Sequence, residues 1–182
     1  MNTSIVKGSM SDIAKQEGQD LATTWMGVDL VAIVDVSGSM DASDSRDNQT
    51  RFEVAQQELA GVQNSNPGRI AVIQFSNTVQ WRPTGKLTLE GGSTGMLDAL
   101  QFIKPVDGVK GLKIVVISDG YPDNPQSVLA YARQMKTPIQ TIYVGPENDR
   151  QGQEFLKMLA TATGGKYQED FKVAQLENKI TG

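Results

Sequence analysis

Three short segments carry side chains whose types and spacing suit chemistry. They are Asp35-Val36-Ser37-Gly38-Ser39-Met40, Gly91-Gly92-Ser93-Thr94-Gly95 and Ser118-Asp119-Gly120. Asp35, Ser37, Ser39, Thr94 and Asp119 together offer two carboxylates and three hydroxyls, with no nitrogen or sulfur among them. Hard, oxygen-only donors suit magnesium or manganese, with calcium as a further option, and disfavour zinc or copper. Alternation at positions 35, 37 and 39 lets a tight loop turn all three side chains inward together. Gly38 leaves the backbone room for that curl, and the glycines at 91, 92 and 95 serve the second loop in the same way. Two carboxylates brought together without a cation repel each other and raise a pKa. A divalent ion offsets the repulsion, and neutral hydroxyls leave it electrophilic, with waters that an incoming ligand can displace.

The elements that must hold these segments are legible in the hydrophobic pattern. Val28–Val34, Ile70–Phe75, Lys113–Ser118 and Ile139–Val144 are short, nearly continuous apolar runs rich in Val and Ile. Such runs are strands buried on both faces, as in a parallel sheet covered by helices. A shorter strand at Val79–Arg82, reached through Ser76-Asn77-Thr78, is expected to be an antiparallel edge. Helical spacing links Phe52, Ala55, Leu59 and Val62, with Thr50 and Glu53 spaced as a capping box. Further stripes are Met96, Leu100 and Ile103; Val128, Leu129, Ala132 and Met135 behind Asn124-Pro125; and Phe155, Met158, Leu159 and Ala162 ending at Gly164-Gly165. A last helix is expected over 171–180. Strands alternating with helices give an α/β fold: a doubly wound, mostly parallel central sheet with one antiparallel edge strand and helices on both faces. Ligands of such sheets sit at the carboxyl ends of the strands, where Asp35 and Asp119 fall.

The chain of 182 residues is long enough for one domain, read as 25–182 behind an N-terminal extension, 1–24, that is a loose helix or a tail. A net charge of -4 argues against a nucleic-acid partner. With no cysteine and no histidine, structural zinc, disulfides, thiol nucleophiles and histidine-based triads are excluded. No apolar stretch suits a signal sequence or a membrane span, so no membrane association and a cytoplasmic location are expected.

Taken in order, the three segments resemble the metal-ion-dependent adhesion site of von Willebrand factor A domains, and the order of strands and helices from about residue 26 to 180 is similar to that family's. The resemblance implies a Rossmann-like fold and roles at matching positions. Ser37 and Ser39 are direct hydroxyl ligands, Asp35 a direct or outer carboxylate that also orients its loop, Thr94 a ligand in the engaged state, and Asp119 a ligand directly or through water. One departure is Gly91-Gly92-Ser93-Thr94 where many members read Gly-Gly-Thr, which leaves Ser93 as an alternative to Thr94. The implied function is non-enzymatic: an adaptor that captures an Asp or Glu carboxylate of another protein through magnesium. Free-standing members of the family also suggest a multiprotein assembly, in some cases with a separate AAA+ ATPase, since this chain has no phosphate-binding loop.

Two other readings stand beside this one. A magnesium-dependent phosphatase with Asp35 as nucleophile needs an Asp-x-Asp pattern, and position 37 is Ser. A metal-independent scaffold treats the serines and aspartates as turn caps. The acidic stretch Asp41–Asp47 reads as a solvated face or as a fence around the cation, and Trp25 and Trp81 read as packing residues.

Overall fold

The computed structural model describes residues 4–45 and 48–168. Six strands form one sheet in the order β3-β2-β1-β4-β5-β6. They are β1 Leu30–Asp35, β2 Ile70–Phe75, β3 Val79–Trp81, β4 Lys113–Ser118, β5 Ile139–Tyr143 and β6 Tyr167–Gln168. Among the described residues only the β2–β3 pair is antiparallel. The expected edge hairpin is thus present. The two-residue β6, too short to leave a periodic signal, adds a strand at the other edge. Every residue of β1 and β2 is buried, as continuous apolar runs require when helices cover both faces of a sheet.

Helices α1 Met10–Glu17, α2 Leu21–Trp25, α3 Arg51–Ser65, α4 Met96–Phe102, α5 Pro125–Ala132 and α6 Arg150–Thr163 surround the sheet. One face packs Val31, Ile33, Ala71, Ile73 and Val116 against α4, α5 and α6. The other packs Leu30, Ala32, Val34, Val72, Val115 and Ile117 with Ala55 and Leu59 of α3. The capping box at α3 forms in both directions: Thr50 N–H donates to Glu53 Oε2 (2.8 Å), and Glu53 N–H to Thr50 Oγ1 (3.0 Å). Asn124 caps α5 through Ser127 N–H, and Gly164 ends α6 in the left-handed region.

Two sequence expectations change here. The buried face of α6 is Gly152, Phe155, Leu156, Leu159 and Ala160, with Met158 exposed. Leu156 is turned inward, and the small Gly152 lies close against the Asp119 loop, which an apolar-residue count does not register. The N-terminal extension, read as a loose helix or a tail, carries α1 and α2 and is docked on the domain over its described residues. Met10 is fully buried in the core, Val6 N–H donates to Thr84 O, Ser11 N–H to Pro83 O and Gly68 N–H to Gly8 O. Trp25 and Trp81 pack edge to face at 5.4 Å between centroids, as packing residues do. The helix expected over 171–180 lies outside the described residues. Among the described residues, no helix is long and apolar enough to cross a membrane.

Candidate metal centre

The chain reverses its winding at β1: β2 lies on one side of it and β4 on the other. In such sheets the crevice at the carboxyl ends of the two diverging strands is where ligands bind. Val34 pairs with Ile117 in register, so Asp35 and Ser118 leave the sheet side by side. Ser118 Oγ–H donates to Asp35 Oδ2 (2.7 Å) and Ser37 N–H donates to Asp35 Oδ1 (2.9 Å), so both oxygens of this fully buried carboxylate accept. Ser37 is buried and Ser39 exposed, with their hydroxyl oxygens 3.4 Å apart.

The second loop is stapled to the first by backbone. Glu90 and Gly91 N–H both donate to Val36 O, and Gly38 N–H donates to Gly92 O. It is held from the side by Glu90, whose carboxylate accepts from Gln74 Nε2 (2.9 Å), Ser76 Oγ (2.6 Å) and Gln80 Nε2 (2.8 Å). Ser93 is exposed, and its hydroxyl and N–H both donate to Asn77 Oδ1. Thr94 is buried, its N–H donating to Asp123 Oδ1 (2.9 Å) while Asp123 N–H donates back to Thr94 O. Ser93 therefore spends its hydroxyl on the hairpin, while the buried Thr94 is stitched to the loop that carries Asp119.

Asp119 is fully buried. Its Oδ2 accepts from Arg51 Nη1 (2.7 Å), and its Oδ1 is buried with no hydrogen-bond partner among the described residues. Burial first, and the neighbouring Asp119 charge second, push the Asp35 carboxyl up to about 6 against the pull of its hydrogen bonds from Ser37 and Ser118. Two buried carboxylates, one with an unpaired oxygen, beside hydroxyls of Ser37 and Ser39 are a donor set that a hard cation fits. Among the described residues, no group of three or more His, Cys, Asp or Glu is placed to hold a metal ion, so such a cation relies on the hydroxyls as well.

Arg51 and Gly152 escaped the motif reading. Arg51 opens α3 and grips Asp44 with Nε and Nη2 (2.7 and 2.6 Å) while its third arm reaches Asp119. Asp44 is therefore not a freely solvated charge. Its hydrogen bonds to Arg51 hold its carboxyl below the usual range. Gly120 has φ +88, and a Cβ there would meet Gly152 O at 2.2 Å; one on Gly152 would meet Asp119 O at 2.0 Å. The first turn of α6 thus lies backbone to backbone on the Asp119 loop. Nothing in local spacing signals a contact between residues so far apart in the chain.

The von Willebrand factor type A domain family matches residues 30–122, which run from β1 past the Asp119 loop and make up just over half of the chain. The chain belongs to this family. Type A domains act generally as protein-interaction or adhesion modules. Solved structures agree on the fold. An aerotolerance-related membrane protein from Bacteroides fragilis, with multiple mutations to serines, superposes with a TM-score of 0.61 at 15% identity, covering 85% of this chain and 96% of that one. The manganese-loaded TRAP protein of Plasmodium vivax gives 0.57 at 18% identity, covering 84% and 71%. A von Willebrand factor type A protein from Catenulispora acidiphila gives 0.51 at 17% identity, covering 83% and 40%. At these identities the likeness is one of fold. No curated protein matches the chain.

Proposed function

We propose that this type A domain is a cation-dependent adaptor that captures an acidic side chain of a partner protein at the crevice beside Asp35. Ser37, Ser39 and Thr94 would hold a divalent cation through their hydroxyls, with Asp35 and Asp119 supplying the balancing charge directly or through water. When bound, the cation supplies an electrophilic position for a partner's carboxylate oxygen. Magnesium is the first candidate, with manganese and calcium behind it, and the manganese in the Plasmodium TRAP structure supports a divalent site in this fold.

The observation that carries the reading is the unpaired, buried Asp119 Oδ1 beside a second buried carboxylate. An orphaned acceptor of this kind costs about 1–3 kcal/mol unless something pairs with it, and more when charged. The domain's own residues meanwhile do the positioning: backbone bonds from Val36 to the Gly91 loop, and from Asp123 to Thr94, hold the three segments in one crevice.

Capture of partners from native lysate, in magnesium and again in EDTA, tests this with Asp35→Ala and Ser39→Ala as controls. A partner retained by wild type in magnesium alone supports the reading; equal capture under all four conditions sinks it. The competing reading is a metal-independent scaffold, favoured by one observation: Arg51 already pairs with Asp119 inside the protein. Under that reading chelation changes neither capture nor stability. An Asp35 phosphatase has less to recommend it, because both oxygens of Asp35 are engaged as acceptors by Ser37 and Ser118.

A further inference from the structure

Arg51 stands apart from the all-oxygen donor set, yet it touches that set. Its side chain is 10% exposed, and it links Asp119, at 0%, to Asp44, at 38%. A guanidinium has five N–H donors in a rigid fork and stays charged under all ordinary conditions. Here two arms of that fork are spent on Asp44 and one on Asp119. Asp119 and Asp44, when ionised, set two negative charges against the one positive charge of Arg51, and Asp35 adds a further carboxylate beside Asp119.

We propose that Arg51 is a built-in counter-charge that sets the cation affinity of the crevice, and that Asp44 regulates how much of that charge Asp119 feels. This rests on the reading of the crevice as a cation site. With no cation, Arg51 keeps the buried Asp119 carboxylate from standing as an uncompensated charge, which a protein interior penalises heavily. It does so through Oδ2 and leaves Oδ1 unpaired. A cation then has one oxygen of Asp119 available, but binds against the repulsion of the resident guanidinium. Asp44 draws on the same guanidinium through two hydrogen bonds and so softens that repulsion. The segment from Asp41 to Ser45, between the serine loop and α3, therefore carries the residue that adjusts the site's charge.

The two ends of the clasp should move affinity in opposite directions. Arg51→Met keeps an apolar stem and removes the charge, so Mn²⁺ binding should tighten about ten-fold or more, the scale of a unit charge acting over several ångströms near a protein surface. Asp44→Asn leaves the whole guanidinium facing Asp119 and should weaken Mn²⁺ binding several-fold. Arg51→Lys keeps the charge and should stay within a few-fold of wild type. Titration of the full chain with MnCl2, followed by calorimetry and by the EPR signal of free Mn²⁺, reads all three. Arg51→Met is purified in Mn²⁺ in case it unfolds in EDTA, and Asp44→Asn and Arg51→Lys carry the test if it does. If Arg51 and Asp44 merely brace the loop, both charge-removing variants bind more weakly, and the proposal is overturned. Wild-type binding that Asp35→Ala abolishes, with no tightening in Arg51→Met and no weakening in Asp44→Asn, overturns the counter-charge alone. Absence of Mn²⁺ binding by wild type and by every variant overturns the cation reading and this inference together.

Discussion

Replacing Asp35 by Asn should stabilise the cation-free protein, although the residue sits at the heart of the candidate site. Asp35 is fully buried next to Asp119, and its carboxyl is pushed from 3.8 to about 6, by burial first and the Asp119 charge second. The folded state thus binds the Asp35 proton more tightly than the unfolded chain does. Above pH 6 the carboxylate is ionised in both states, and the folded state carries the penalty. As pH falls from 6 toward 3.8, the folded state takes up the proton while the unfolded chain does not, so this group's contribution to stability rises as pH falls. A shift of about two units corresponds to about 3 kcal/mol, of which about 1.4 kcal/mol is recovered between pH 7.5 and pH 5. Asparagine mimics the neutral carboxyl: its oxygen can accept from Ser37 N–H while its amide donates to Ser118 Oγ. Urea denaturation in EDTA, at intervals from pH 7.5 to 5, measures the effect. The expected result is an Asp35→Asn variant more stable than wild type by up to about 3 kcal/mol at pH 7.5, with the gap closing by about 1.4 kcal/mol at pH 5. A variant less stable than wild type at pH 7.5, or two curves that run parallel, refutes the argument that burial beside Asp119 governs this site.

The contact between α6 and the Asp119 loop gives a second expectation. Gly152→Ala places a methyl 2.0 Å from Asp119 O. It should cost about 1–3 kcal/mol by overpacking, measured by urea denaturation, and stability equal to wild type would argue against the close approach. The Glu90 hub gives a third. Glu90→Ala removes the acceptor shared by Gln74, Ser76 and Gln80, so hydrogen exchange at the amides of residues 90–95 should quicken about ten-fold or more, while β1 and β4 remain protected. Unchanged exchange there would mean that the backbone bonds to Val36 hold the loop unaided.

Much of the site was legible along the chain because its signals are local. Asp35, Ser37 and Ser39 lie within one loop, and Asp119 follows directly on an apolar run that reads as a strand. The capping box at Thr50 and Glu53 and the Asn124-Pro125 start of α5 are equally local, and both form. What sets the surroundings of Ser93 and Thr94 apart is not local. It turns on Asn77, a residue of the β2–β3 hairpin that takes up the Ser93 hydroxyl, and on Asp123, which holds Thr94 from the far side of the crevice. The docking of the N-terminal segment is equally non-local. Met10 is one apolar residue in a weakly patterned stretch, and it is buried by core residues distant from it in the chain.

By itself, then, the sequence determined the strand and helix types, the parallel character of the sheet and the oxygen-bearing side chains placed at its carboxyl edge. Residue type and periodicity are properties of neighbours in the chain, so a chain read in order contains them. The tertiary structure alone decided how the charges in that crevice are balanced. Arg51 and Asp119 are joined across α3, β2, β3, α4 and β4, and Gly152 meets Gly120 across α5 and β5. Those pairings exist because the winding reverses at β1, bringing the end of β4, the serine loop and the start of α3 to one point. A buried carboxylate must find its counter-charge in space, and space is set by the sheet order.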